Sequence, residues 1–215
     1  MTTLAALLEG IERGEFPPTD MGATHVAQPS ARDAAVLSTT AHLIVAADVT
    51  PEWLATHLPP RDPGSAFNPP FLGALAGALG RRVNNIDMLA ICPPRSGPPA
   101  LPLTPVEDQT HPRVRRARRY RGDVRVWTCP GGVIAIGRGL AGRWEVGLEV
   151  DPAYRGKGLG RALAASAAHL VDGGRPVWAQ IAPGNAASVR AFLAAGFIPV
   201  GQEALLVTHS GEVPG

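Results

Sequence analysis

Three glycines at alternate positions, Gly156, Gly158 and Gly160, lie in the run Val150-Asp-Pro-Ala-Tyr-Arg-Gly-Lys-Gly-Leu-Gly160. Such a turn, if it opens a helix, presents several backbone N–H groups at the positive end of the helix, with no side chains in the way. That is an anion site, best suited to a phosphate or pyrophosphate. The flanking residues supply the elements it needs. From Arg143 to Val150 the sequence alternates: Trp144, Val146, Leu148 and Val150 point one way and Glu145, Gly147 and Glu149 the other, the period of a strand. Beyond the glycines, Leu159, Leu163, Ala167 and Leu170 recur at three and four residues in an alanine-rich run, the period of a helix.

Glycine loops of three kinds bind phosphates in this setting. A P-loop needs Lys-Ser or Lys-Thr after its glycines, and neither follows here. A dinucleotide fingerprint needs Gly-x-Gly-x-x-Gly, whereas Gly158 opens Gly-Leu-Gly-Arg-Ala-Leu and Gly156 leads to Arg161. The third pattern fits. Arg155-x-x-Gly158-x-Gly160, after a strand ending Val-Asp-Pro, resembles the acyl-CoA pyrophosphate loop of the GNAT superfamily of N-acetyltransferases. Downstream, Pro176 to Ile181 reads as a strand, and Asn185-Ala-Ala-Ser188-Val-Arg-Ala-Phe192-Leu-Ala-Ala-Gly196-Phe197 is similar to the family's second signature.

The resemblance implies a fold and a set of roles. The fold is α/β (α+β): a mixed, mostly antiparallel central sheet flanked by helices, here with an N-terminal extension of helices and short strands. Backbone groups of Leu148, Glu149 and Val150 would pair with the pantetheine arm of acetyl-CoA and polarise the thioester carbonyl. The loop Arg155, Gly156, Lys157, Gly158, Leu159, Gly160 and Arg161 would hold the pyrophosphate, and Asn185 and Ser188 would reach the cofactor from the second helix. By type and position Asn185 serves equally well as a helix N-cap. The proton chemistry departs from the family. A Tyr that many members use as general acid is Phe192 here, and a Glu that some use as base is Gln180. Of the remaining carboxylates, Glu145, Glu149 and Glu203, the first choice as general base is Glu145. The plain alternative puts Glu145 and Glu149 on the solvent face of an alternating strand. The reading is an acetyl-CoA-dependent N-acetyltransferase acting on a primary amine of a small molecule or peptide. The alternative is a non-catalytic acyl-CoA-binding or regulatory module.

Composition narrows the setting. The 215 residues carry a formal net charge of +2 and are 45% hydrophobic, enough for a packed core. Two cysteines far apart, Cys92 and Cys129, read as reduced packing residues in a cytoplasmic protein. No apolar run reaches the ~20 residues of a membrane helix, and the first residues lack the basic start and cleavage site of a signal peptide. His42, His57, His111 and His169 show no metal-ligand spacing, so no metal site is expected. Arginines 113, 115, 116, 118, 119 and 121 make a basic helix over 111–121. With Tyr120 as its only aromatic residue, base stacking has little support, and a solvated helix face is preferred over a nucleic-acid surface.

Along the chain, helices are expected from Thr3 to Arg13, from Thr50 to Leu58 and from Phe71 to Leu79. Strands are expected at Leu43–Ala47 and Ile86–Ile91, with 17–30 as loop. Val124 to Thr128, a Cys-Pro-Gly-Gly turn and Val133 to Ile136 make a hairpin. One strand, Pro199 to Val207, closes the order where the family has two. That leaves the sheet edge open, filled by the N-terminal region, or paired with a second copy in a homodimer. The expected division is an N-terminal region 1–95, a Pro-rich connection 96–110, an acetyl-CoA-binding domain 111–208 and a tail 209–215.

Overall fold

The computed structural model describes residues 2–107 and 110–208, so the tail 209–215 lies outside the described residues. In chain order the elements are α1 (Leu4–Glu12), β1 (Ala23–Val26), β2 (Asp33–Thr39), β3 (His42–Ala46), α2 (Pro51–His57), α3 (Pro69–Leu79), β4 (Arg81–Cys92) and β5 (Thr104–Val106). Then follow α4 (Pro112–Tyr120), β6 (Gly122–Cys129), β7 (Gly132–Arg138), β8 (Trp144–Val150), α5 (Leu159–Ala167), β9 (Val177–Ile181), α6 (Ala186–Ala194) and β10 (Ile198–Thr208). The described residues form two compact units, one running to Met88 and taken up again from Val200, the other Leu89–Pro199.

In the first unit the strand order is β1-β3-β2-β10-β4, with β2 antiparallel to both β3 and β10 and β1 parallel to β3. Its core gathers Val36, Leu43 and Val45 of the sheet with Leu54 of α2 and Phe71, Leu72 and Leu75 of α3, joined by Ala204 and Leu206 of β10. The helix starts follow the sequence signals. Thr3 Oγ1 accepts the Ala6 N–H at 3.2 Å and Thr50 Oγ1 accepts the Trp53 N–H at 3.1 Å, so each cap satisfies a donor that the first turn would leave orphaned. The stretch 17–30, expected as loop, contains β1. Its pattern is hidden because an edge strand of four residues needs no continuous apolar face.

In the second unit the order is β4-β9-β8-β7-β6-β5. The end of β4, from the N-terminal part of the chain, thus takes the position beside β9 where the sequence left the edge undecided. Within 96–110, expected as connection, Thr104–Val106 is a strand that pairs antiparallel with β6. The two faces of this sheet are distinct. Val133 and Ala135 of β7, with Val126 of β6, pack under Val114 and Ala117 of α4. Position 132 of β7 approaches Leu159 and Leu163 of α5, on the opposite face.

Candidate acyl-CoA site

The site is built on the way β8 leaves β9. Pairing with β7 is continuous from Trp144 to Val150, but the parallel register with β9 holds only at Glu145–Trp178 and Val146–Ala179. Two bonds just outside the β7–β8 ladder set its phase. The Gly139 N–H donates to the Arg143 carbonyl and the Asp151 N–H to the Gly131 carbonyl, each at 2.9 Å. Backbone groups alternate sides along a strand, so the odd-numbered residues of β8 direct theirs to β7. Those of Leu148 and Val150 face the side where strand pairing with β9 has ended. Glu149 therefore differs from the expectation: its N–H and C=O face Val133 of β7, and its side chain is the part that reaches the cleft.

Past Val150 the chain turns through Gly156 (φ +76°) and Gly158 (φ +84°) into α5. At Gly158 the left-handed backbone favours glycine, and nothing lies within 4 Å of the place a Cβ would occupy, so the space in front of the helix start is open. No side chain caps α5, and its first turn closes only at the Ala162 N–H to the Gly158 carbonyl, 3.1 Å. The N–H groups of Leu159, Gly160 and Arg161 are those left over at a helix start, at its positive end. The Arg155 side chain donates to the Val150 carbonyl at 3.1 Å and Lys157 turns back to the Ala153 carbonyl at 3.1 Å, which fixes the loop on itself. Residue 160 approaches Val150 and Ala191 at ordinary contact distance, so α5 lies close to α6.

A cleft of about 720 Å³ runs from β8 across this loop to α6. It is lined by Leu148, Glu149, Val150, Arg155, Gly156, Gly158, Leu159, Gly160, Arg161, Asn185 and Ser188, every cofactor residue the sequence singled out except Lys157. Asn185 is the N-cap of α6, its Oδ1 accepting the Ser188 N–H at 3.1 Å, so the capping role is real and uses that oxygen. Phe192 forms part of the wall and packs edge-on against Phe197, ring centroids 4.9 Å apart. Tyr154 lies over Gly131 in the β6–β7 turn, where a Cβ would collide with its ring.

Glu145 takes neither place the sequence offered it. It is 3% exposed, so it is on no solvent face. Its Oε1 accepts from Arg143 Nε at 2.9 Å and the Leu140 N–H at 3.2 Å, and its Oε2 from Arg121 Nε at 2.8 Å. Burial pushes its pKa up, and the fields of Arg143 and Arg121 together overcome that and hold it below the ordinary carboxylate value. A carboxylate so held is a poor proton acceptor. Arg121 also reaches Gln180 Oε1 of β9 at 3.4 Å, so the clamp ties β8 to β9 where the two diverge. Glu203 belongs to the other unit, opposite Leu37 of β2, and is 1% exposed.

The sequence missed Arg113, Arg121 and Arg143. Signals for the first two were present: Val114 and Ala117, the only small or apolar residues of α4 besides Tyr120 and Pro112, mark its inward stripe, and Arg113 and Arg121 flank that stripe one residue before and four residues after. Arg113 Nε lies 3.4 Å from Glu149 Oε2, the side chains about one third exposed. Burial pushes the Arg113 guanidinium below its ordinary value, and Glu149 pulls it back. The basic helix is thus partly a site element, with two of its six arginines turned to carboxylates of β8. Cys92 and Cys129 have their thiols pushed up by burial, which disfavours the nucleophilic thiolate.

Residues 110–197 match the family model described as Acetyltransferase (GNAT) family. Among solved structures, the chain is similar to a GCN5-related N-acetyltransferase from Kribbella flavida, with 16% identity and a TM-score of 0.41, over 64% of this chain and 63% of that one. A GCN5-related N-acetyltransferase from Sphaerobacter thermophilus matches with 16% identity and a TM-score of 0.40, over 66% of this chain and 55% of that one. The likeness therefore spans less than two thirds of either chain. No curated protein matches the sequence. The matched residues hold both the glycine-loop and the Asn185–Phe197 signatures and the cleft between them, so this segment of the chain is similar to a GNAT-family acetyltransferase domain.

Proposed function

We propose that the protein transfers an acetyl group from acetyl-CoA to a primary amine, with the donor seated in the β8–α5–α6 cleft. The observation that carries this is the open side of β8 at Leu148 and Val150, next to a helix start with unclaimed N–H groups. A pantetheine arm carries amides that add to a strand edge as another strand would, and a pyrophosphate suits the N–H groups of Leu159, Gly160 and Arg161. Arg161 and Arg190 on the same cleft supply positive charge to the anion.

Acetyl-CoA supplies an activated thioester. The chain's residues hold it, polarise its carbonyl through a β8 backbone N–H, and shield the carbonyl carbon from water with apolar wall such as Phe192. The amine lone pair forms the C–N bond, the C–S bond breaks, and the proton lost from nitrogen ends on the departing sulfur. A thiol with a pKa of roughly 8.5 leaves without an acid from the protein, so Phe192 in place of Tyr is compatible with turnover. Glu145 serves here by positioning Arg121 and β8, and Glu149, whose side chain lines the cleft, is the carboxylate available to an incoming ammonium.

The test is thiol release from acetyl-CoA with a panel of primary amines, run beside acetyl-CoA binding by calorimetry. Amine-dependent thiol release supports the reading. Tight acetyl-CoA binding without release by any amine would instead favour a non-catalytic acyl-CoA-binding module.

A further inference from the structure

On the α4 side of β8 two guanidiniums converge on one glycine. A Cβ at position 147 would lie 3.0 Å from Arg121 Nη1 and 3.6 Å from Arg113 Cδ. Gly147 directly follows Val146, the last β8 residue in register with β9, and precedes Leu148, whose backbone faces the open side. The absent side chain lets the two arginines lie against β8, and Arg113 lines the cleft beside Glu149.

Two ion pairs meet on this side of β8. Among the described residues, Arg121 and Arg143 meet Glu145, and Arg113 meets Glu149. Arg143 and Arg121 are both committed to the buried Glu145, whereas the Arg113–Glu149 pair is long at 3.4 Å and sits on the cleft wall. The Arg113 guanidinium is disfavoured first by burial, and Arg116 and Arg121 add repulsion. A partly desolvated guanidinium held by one long ion pair is best completed by a further carboxylate. A neighbouring carboxylate–guanidinium pair is also the mirror image of an amino acid's own charges: Glu149 suits an ammonium and Arg113 a carboxylate, the latter with a forked donor geometry.

We infer that the acetyl acceptor is an amine bearing a nearby carboxylate, an amino-acid-type zwitterion, bound with its carboxylate on Arg113 and its ammonium on Glu149. The ammonium releases one proton to solvent, the free amine forms the C–N bond as the C–S bond breaks, its second proton leaves on the CoA thiol, and the acetylated product retains the carboxylate. This rests on the acetyltransferase reading above and names its substrate class.

The experiment uses the full chain and matched acceptors: free amino acids against the same amino acids as C-terminal amides, each followed by thiol release, with acetyl-CoA binding measured separately. The expected result is kcat/KM at least about tenfold higher for the free acids, the discrimination typical of one recognised ionic group. Arg113→Gln should remove most of that preference, and Arg113→Lys should restore part of it. Failure of acetyl-CoA to bind the wild-type protein overturns the acetyltransferase reading itself. Binding with equal or better turnover of the amides, with no turnover of any free amino acid, or with a preference unchanged in Arg113→Gln overturns the acceptor assignment alone.

Discussion

Replacing Glu145 by Gln separates a structural carboxylate from a catalytic one. The side chain is 4% exposed, between Arg143 at 1% and Arg121 at 13%, with contacts of 2.9 and 2.8 Å. Gln keeps the shape and one acceptor oxygen but removes the charge, leaving two guanidiniums in a buried site without the carboxylate they share. Removing one partner of such a cluster costs about 3–5 kcal/mol. The retained acceptor places this change near the lower end, about 3 kcal/mol, which for a chain of this length lowers the unfolding midpoint by roughly 6–12 °C. The pH dependence has a fixed sign. The folded pKa lies below the unfolded value of about 4.3, so the stabilisation is fully present above the unfolded pKa and is lost as pH falls through the folded one. Thermal unfolding of both proteins at pH 7 and at stepwise lower pH should show a gap that is constant from neutral pH to about 5 and closes in acid. An unchanged midpoint together with a large fall in kcat would refute the clamp and return Glu145 to the role of base.

Other changes follow from single contacts. Gly139→Ala places a Cβ on the Glu145 carboxylate and should lower the midpoint in the same direction, as read by calorimetry. Asn185→Ala removes the α6 cap, for a loss of about 1 kcal/mol in denaturant unfolding. If Asn185 also holds the cofactor, acetyl-CoA affinity falls with it. Phe192→Tyr introduces the phenol that the family resemblance implies at this position. An acid that assisted the leaving thiolate would raise kcat ~10²-fold, whereas a thiolate that departs unaided leaves kcat unchanged, the outcome expected here.

The glycine turn and the helix after it were legible in the sequence because they are matters of backbone, and backbone geometry is written locally. Gly156 and Gly158 adopt the left-handed turn their type allows, and Leu159 to Ala167 forms the helix its period requires. Thr3, Thr50 and Asn185 cap the helices they precede. What the sequence hid depends on distant partners. The period of two left Glu145 as either a base or a solvent-facing residue, yet it is buried, and Arg121, Arg143 and the Leu140 N–H make that burial tolerable. The occupant beside β9 was equally unreadable, because β4 comes from residues 81–92, far from β9 in sequence, and no local pattern states with which strand a strand will pair. Arg113 read as one of six like charges, since nothing local distinguishes an arginine that meets Glu149 from one that meets water.

The central claim is that the Gly156–Arg161 turn seats the pyrophosphate of acetyl-CoA. Calorimetric titration of acetyl-CoA into the wild-type protein and into Gly158→Glu tests it most directly, with circular dichroism confirming that both are folded. The side chain would enter the open space before α5 carrying a negative charge, from a backbone at φ +84°. The account predicts saturable binding to the wild-type protein and an affinity at least about tenfold weaker, 1.4 kcal/mol or more, in the variant. Equal affinities in the two folded proteins would contradict it.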